Sequence, residues 1–222
     1  MERVPESEAI AAMADARRYS QVMSRWLVRH EYRGLAREVV GMGVPPRGQV
    51  LDVGTGPGFV AIEVARLLQG TGCQVVGLDL SAAMLAVAAE NGAREGLNGM
   101  LAWREGDAKA MPFGDGEFDA VVSSGSLHHW EDPLAVVNEI ARVIKDGGQY
   151  IIRDSKRLQR WGPKLFARAI GLTLPRDFRE HYWNSIRSSY TPQELVAILQ
   201  PSQLRGWRID EDFMDLMVVK EA

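Results

Sequence analysis

The 222-residue sequence contains one cysteine, Cys73, so it forms no intrachain disulfide, and a reducing compartment is the simplest setting. It contains no apolar run near the roughly 18 residues that a membrane span needs. The apolar run from Ala9 to Ala14 is short and set among Glu2, Glu6, Glu8 and Asp15, so no signal peptide is expected. A cytoplasmic protein is the expectation. A strong charge of one sign is also missing: 26 Lys and Arg stand against 29 Asp and Glu, a net −3 that argues against a surface built throughout for nucleic acid. What is present is an ordinary globular balance, 46% hydrophobic and 25% charged. At this length one domain closes a core without metal or disulfide staples.

The near-neutral mean conceals a division. Residues 155–190 carry eight Lys and Arg against Asp177 and Glu180, a surplus of six, which leaves the rest of the chain at −9. Short β-branched runs alternate with longer helical periodicities, the pattern of repeated strand-helix units around a parallel sheet. Strands are expected at Gln49 to Gly54, Gln74 to Asp79, Met100 to Arg104, Phe118 to Ser123 and Gln149 to Asp154. A C-terminal pair is expected at about Leu204 to Ile209 and Phe213 to Lys220, joined by Asp210, Glu211 and Asp212. Ser81 caps a helix over Ala82 to Glu95, and Asp132 with Pro133 opens another that Gly147 and Gly148 stop. Thr191 and Glu194 form a capping box. Glu8 to Met42 reads as amphipathic helix.

The turn Asp52-Val53-Gly54-Thr55-Gly56-Pro57-Gly58 follows the first strand and precedes a helix from Phe59. Glycines there let the backbone bend sharply and bring N–H groups close to a ligand at a helix N-terminus. No Gly-Lys-Ser or Gly-Lys-Thr follows, so nucleotide hydrolysis is not expected. The G-x-G-x-G spacing also departs from the G-x-G-x-x-G of dinucleotide folds, which leaves NAD-linked oxidoreduction a distant alternative. Asp79 ends the second strand, where a carboxylate accepts both hydroxyls of a ribose. Asp107, in the Gly106-to-Phe113 loop after the third strand, can accept from an adenine amino group, with the Ala108 backbone as donor. Asp52, Asp79 and Asp107 thus end successive strands, at the edge where open α/β sheets bind ligands.

With these residues together, the chain resembles the class I S-adenosylmethionine-dependent methyltransferases from about Asp15 to the C-terminus. LDVGTGPG, Asp79, GDAKAMPF and FDAVVSSGSLHHWEDP match the family's motifs in order, and the LHHWEDP and MPF stretches are most similar to small-molecule enzymes, including those of quinone biosynthesis. The resemblance implies a Rossmann-like, doubly wound α/β fold, with a seven-stranded, mostly parallel sheet, an antiparallel last strand and helices on both faces. It implies one domain over residues 1–222, with a helical cap at 1–48 and a lid-like insertion at 155–190. It implies S-adenosylmethionine as cofactor, with Asp52 in the first motif and Gly54, Thr55, Gly56 and Gly58 around the methionine part. Asp79 and Leu80 take the ribose, Asp107 and Ala108 the adenine. Ser124 and Gly125 face the sulfonium, and Tyr19 closes over the cofactor.

Methyl transfer from a sulfonium is an in-line displacement on an activated reagent, so alignment supplies most of what is needed, roughly 7–11 kcal/mol. For a hydroxyl or acidic-carbon acceptor a base near neutral pKa helps, which nominates His129 as catalytic, with His128 on the substrate side. Adjacent residues point in different directions, and with His30 and His181 the only other histidines no metal site is expected. The basic segment lies at the same edge, where aromatics can enclose an apolar acceptor and Arg176, Arg179 or Arg187 can hold an anion; Trp183 and Tyr190 complete the substrate candidates. A helix from Pro163 is expected to place Leu165, Phe166, Ala169 and Ile170 on one apolar side, with Lys164 and Arg168 elsewhere. The acceptor is therefore expected to be a small anionic or aromatic molecule. RNA methylation and non-catalytic cofactor binding are the alternatives, and the oligomeric state stays open. Nucleic acid is disfavoured because Ser123-Ser124-Gly125-Ser126 lacks the Asn/Asp-Pro-Pro-aromatic motif of many amino-directed base methyltransferases.

Overall fold

The computed structural model describes residues 3–4, 12–24 and 26–221. Two helices, α1 (Met13–Met23) and α2 (Trp26–Gly41), lead to β1 (Gln49–Val53). There follow α3 (Phe59–Leu67), β2 (Gln74–Asp79), α4 (Ala82–Arg94), β3 (Leu101–Glu105) and β4 (Phe118–Ser124). A 3-10 turn (Leu127–His129), α5 (Pro133–Val143), β5 (Ile144–Ser155), α6 (Trp161–Thr173), α7 (Arg176–Ser188), α8 (Pro192–Leu199), β6 (Trp207–Glu211) and β7 (Asp215–Lys220) complete the chain. The sheet order is β3-β2-β1-β4-β5-β7-β6, with β7 antiparallel to both neighbours and the remaining pairs parallel. The strand order reverses between β1 and β4, and the crevice beyond their carboxyl ends is where such sheets bind ligands.

Alternation along the strands divides the core into two layers. Val50, Val75, Ala120 and Val122 face α2 and α3, while Leu51, Val53, Val121 and Ile152 face α5 and α8. The caps form as expected: Ser81 Oγ accepts from Met84 N, Asp132 from Ala135 N, and Thr191 with Glu194 closes a capping box. Among the described residues no helix is long and apolar enough to cross a membrane.

Several boundaries differ from the sequence reading. The expected Glu8-to-Met42 helix is two helices, α1 being capped at Ser24; residues 8–11 and 25 lie outside the described residues. Gly147 and Gly148 do not stop α5, which ends at Val143. They lie inside β5, at an irregularity where Phe118 pairs with Ile144 but Ala120 with Gln149. A Cβ on Gly148 would stand 2.6 Å from Ile144 and 3.1 Å from the Asp119 carbonyl, so the glycines serve a bulge and not a helix end. Asp210 and Glu211 belong to β6, and the β6-β7 joint is shifted to residues 212–214. Leu204 is buried in the core but precedes the strand. In α6 the sheltered side is Pro163, Ala167 and Gly171; Leu165, Phe166 and Ala169 point outward, and Ile170 is half-buried.

Candidate active site at the switch point

The glycine turn owes its shape to three left-handed residues, Gly54, Gly56 and Gly58, with φ of 69°, 53° and 79°. Two of them are also sterically required: a Cβ on Gly54 would meet Ser126 Oγ at 2.1 Å, and one on Gly58 the Trp103 ring at 2.6 Å. Gly56 has nothing within 4 Å of that position, so its face is the open side of the turn.

The turn does not offer its N–H groups to a ligand in the way its sequence suggests. Gly54 and Thr55 both donate to the Leu78 carbonyl at 2.9 Å, Gly58 donates to the Thr55 carbonyl, and Gly56 donates to Asp79 Oδ2 at 2.8 Å. Asp52, buried beneath the turn, accepts from Thr55 Oγ1 at 2.7 Å and from Ala61 N at 3.2 Å, both on Oδ2. An acidic side chain of the protein therefore sits where the first turn of α3 would otherwise draw an anion. Burial pushes the Asp52 carboxyl up to about 7 and raises Asp79 as well; the Thr55 and Ala61 hydrogen bonds act against burial at Asp52. Acidic side chains thus lie against the glycine turn from two sides, and in their ionised forms they oppose a pyrophosphate there.

Asp79 is half-buried and also accepts from Ser81 N at 2.9 Å, while Leu80 beside it is 59% exposed. Asp107 accepts from Lys109 N at 2.8 Å, and Lys109 reaches Glu131 at 2.7 Å, linking this loop to the one after β4. Ala108 is half-buried against the core. The Met111–Phe113 stretch is pinned by α5, where Glu139 accepts from Met111 N and Arg142 donates to the Met111 and Phe113 carbonyls. Ser124 ends β4, and Gly125 follows at φ 63° with its N–H on the Arg153 carbonyl. Tyr19, on α1, packs against Ala83, Met84 and Val87 of α4 and meets Phe178 of α7 at 5.6 Å. Arg18 adds an ion pair to Asp177. The first helix thus bridges α4 and the basic segment.

On the acceptor side, His128 is 4% exposed and turned onto Asp154, which accepts from its backbone N–H at 2.7 Å and lies 2.8 Å from Nδ1. His129 is exposed. The two rings lie in contact, tilted at 42° with centroids 3.9 Å apart, contrary to the expectation that they diverge. Among the described residues no metal-binding cluster forms. Arg179 is not available to an anion in this arrangement: its guanidinium donates to the Leu172 and Leu174 carbonyls and caps α6. Trp183 packs beside Tyr182 with Leu158, Ala167 and Ile186, holding α6 to α7. Tyr190 is 6% exposed within the core, under the Arg3 guanidinium, which also donates to the Ser188 and His128 carbonyls.

Residues the sequence did not single out complete the site. Asp154 ends β5 as Asp52 ends β1 and Asp79 ends β2, so its position on a strand end was the available signal. Ser126 accepts from Trp130 Nε1 at 2.8 Å while filling the space beside Gly54; nothing local in the sequence marks it.

A family profile described as methyltransferase domain matches residues 51–152. A demethylmenaquinone methyltransferase of Bacillus licheniformis is 31% identical over 175 residues, 74% of this chain and 74% of that protein. The chain belongs to the S-adenosylmethionine-dependent methyltransferases. A sterol 24-C-methyltransferase of Gibberella zeae is 36% identical over 130 residues, 59% of this chain, and there the match spans about a third, 32%, of the relative's length. Among solved structures, an S-adenosylmethionine-dependent methyltransferase from Aquifex aeolicus superposes with a TM-score of 0.68 at 19% identity, covering 94% of this chain and 97% of that one. The methyltransferase therefore uses S-adenosylmethionine.

Proposed function

We propose that this enzyme methylates a small, aromatic-ring acceptor held between the 127–129 turn and the α6-α7 pair. The observation that carries the reading is the pair of carboxylates, buried Asp52 and half-buried Asp79, folded against the glycine turn, which selects a cationic donor over a nucleotide phosphate. S-adenosylmethionine supplies a methyl group already activated on sulfur. Gly54, Thr55, Gly56 and Gly58 shape the surface against its methionine part, with Asp52 holding the turn from beneath. Asp79 and Leu80 hold the ribose, Asp107 and Ala108 the adenine, Ser124 and Gly125 border the reacting end, and Tyr19 closes the cofactor side.

His129 takes the acceptor proton, as an exposed imidazole set against the Asp154-anchored His128. His128 acts as a positioning residue for it. Trp183 and Tyr190 act through the placement of α6 and α7. With Arg179 occupied by α6, an aromatic acceptor is favoured over an anionic one, in keeping with the demethylmenaquinone named for the Bacillus relative. Residues 1–48 and 155–190 serve as the cap and lid of one domain. The buried single cysteine supports a reducing, cytoplasmic setting.

The test is transfer of labelled methyl from S-adenosylmethionine to a reduced naphthoquinone and to metabolite extracts. Label in a small aromatic product is expected. Label in RNA, or tight cofactor binding with no product from any extract, would overturn the reading.

A further inference from the structure

We propose that the outward face of α6 docks onto an anionic phospholipid bilayer. This helix inverts the usual amphipathic arrangement. It buries only the small residues Pro163, Ala167 and Gly171, against Tyr182 and Trp183, and turns its large apolar side chains to solvent. Trp161 is 82% exposed, Leu172 71%, Leu165 61% and Phe166 49%. At 3.6 residues per turn Trp161, Leu165 and Leu172 form one narrow stripe. Phe213, from the β6-β7 joint, extends the patch and meets Phe166 edge-on at 5.6 Å. Five of the nine exposed large apolar side chains among the described residues lie here, a concentration that marks an interaction surface.

The charge beside the stripe selects the occupant. Lys164 and Arg168 run along its flank, Arg160 caps α6 and Arg176 opens α7. Among the described residues none of these four side chains makes an ion pair or hydrogen bond, whereas Lys156, Arg157 and Arg179 in the same segment are engaged by Glu211, Glu194 and the α6 carbonyls. Unneutralised cations bordering exposed Trp, Leu and Phe match a surface with anionic headgroups over an acyl layer. A second copy fits poorly, since two-fold pairing of this face would set like cations together. At 13 residues α6 is too short to span and lies in the interface plane. Through α7, which packs on the 127–129 turn, docking sets the acceptor side at the lipid surface.

The experiment is vesicle sedimentation of the full chain without cofactor or acceptor, so failed methyl transfer leaves it untouched. Vesicles of phosphatidylcholine containing phosphatidylglycerol are compared with phosphatidylcholine alone. Partition onto the anionic vesicles, falling steeply with salt, is expected. The pair Lys164→Ala and Arg168→Ala should lower the partition constant about thirtyfold. Trp161→Ser with Leu165→Ser should abolish it while thermal melting and S-adenosylmethionine binding stay unchanged. No binding to anionic vesicles, equal binding to neutral ones, or a concentration-dependent dimer lost in Leu165→Ser would overturn the proposal.

Discussion

Asp154 receives His128 twice, from the backbone N–H at 2.7 Å and at ring Nδ1 at 2.8 Å. A carboxylate only accepts, so this contact keeps a proton on Nδ1 and fixes the ring that faces His129. Asp154→Ala leaves a buried N–H without its acceptor and should cost about 1–3 kcal/mol in denaturant unfolding. Turnover should fall as well, with cofactor affinity unchanged, whereas Asp154→Asn should keep most of the stability. An unaltered unfolding midpoint in Asp154→Ala would remove this role.

Asp52 makes stability depend on pH in an unusual sense. Its carboxyl, raised by burial to about 7, holds its proton more tightly folded than unfolded, so its contribution falls as pH rises from about 4 to about 7. Both of its hydrogen bonds use Oδ2, so Asp52→Asn retains them through the amide oxygen while removing the desolvated charge. The variant should unfold at higher denaturant than wild type at pH 8 and lose that advantage by pH 4. A constant difference across this range would contradict the assignment.

The same carboxyl predicts proton release on cofactor binding. A cationic ligand near Asp52 and Asp79 favours their ionised forms, so S-adenosylmethionine should expel protons near pH 7 and S-adenosylhomocysteine, without the sulfonium charge, fewer. Calorimetry in two buffers of different ionisation enthalpy reads the number directly. Equal release by the two ligands would mean that the sulfonium lies away from these carboxylates.

Gly54 and Gly56 should respond differently to alanine. In Gly54→Ala the new methyl occupies the Ser126 hydroxyl's position, so lowered thermal stability and lost cofactor binding are expected together. In Gly56→Ala the space is open and only the left-handed φ of 53° is strained, a cost of about 1–2 kcal/mol. That variant should fold while binding S-adenosylmethionine at least tenfold more weakly. Unchanged cofactor affinity would show that the open face is not the binding face.

The sheet, the glycine turn and the helix caps were legible because their signals are local: strand-end aspartates, glycines of a tight turn, Ser81 and Thr191 at helix starts. The histidine geometry and the role of Arg179 were not, because they depend on side chains distant in sequence. Arg179 looks like an anion ligand until α6 presents its C-terminal carbonyls, and His128 looks like a substrate contact until β5 delivers Asp154. Which side of α6 meets the protein was not legible for a related reason. Periodicity locates an apolar face, but whether that face meets protein or something else is decided by the small residues opposite it.

Ser126 joins the two halves of the site with a single hydroxyl, pressed beside Gly54 on one side and receiving Trp130 on the other. The loops after β1 and β4 therefore have no slack between them, and a change of shape at Trp130 is transmitted to the glycine turn. Re-engineering this scaffold for a new acceptor belongs in α6 and α7, where a change in shape leaves the glycine turn as it is.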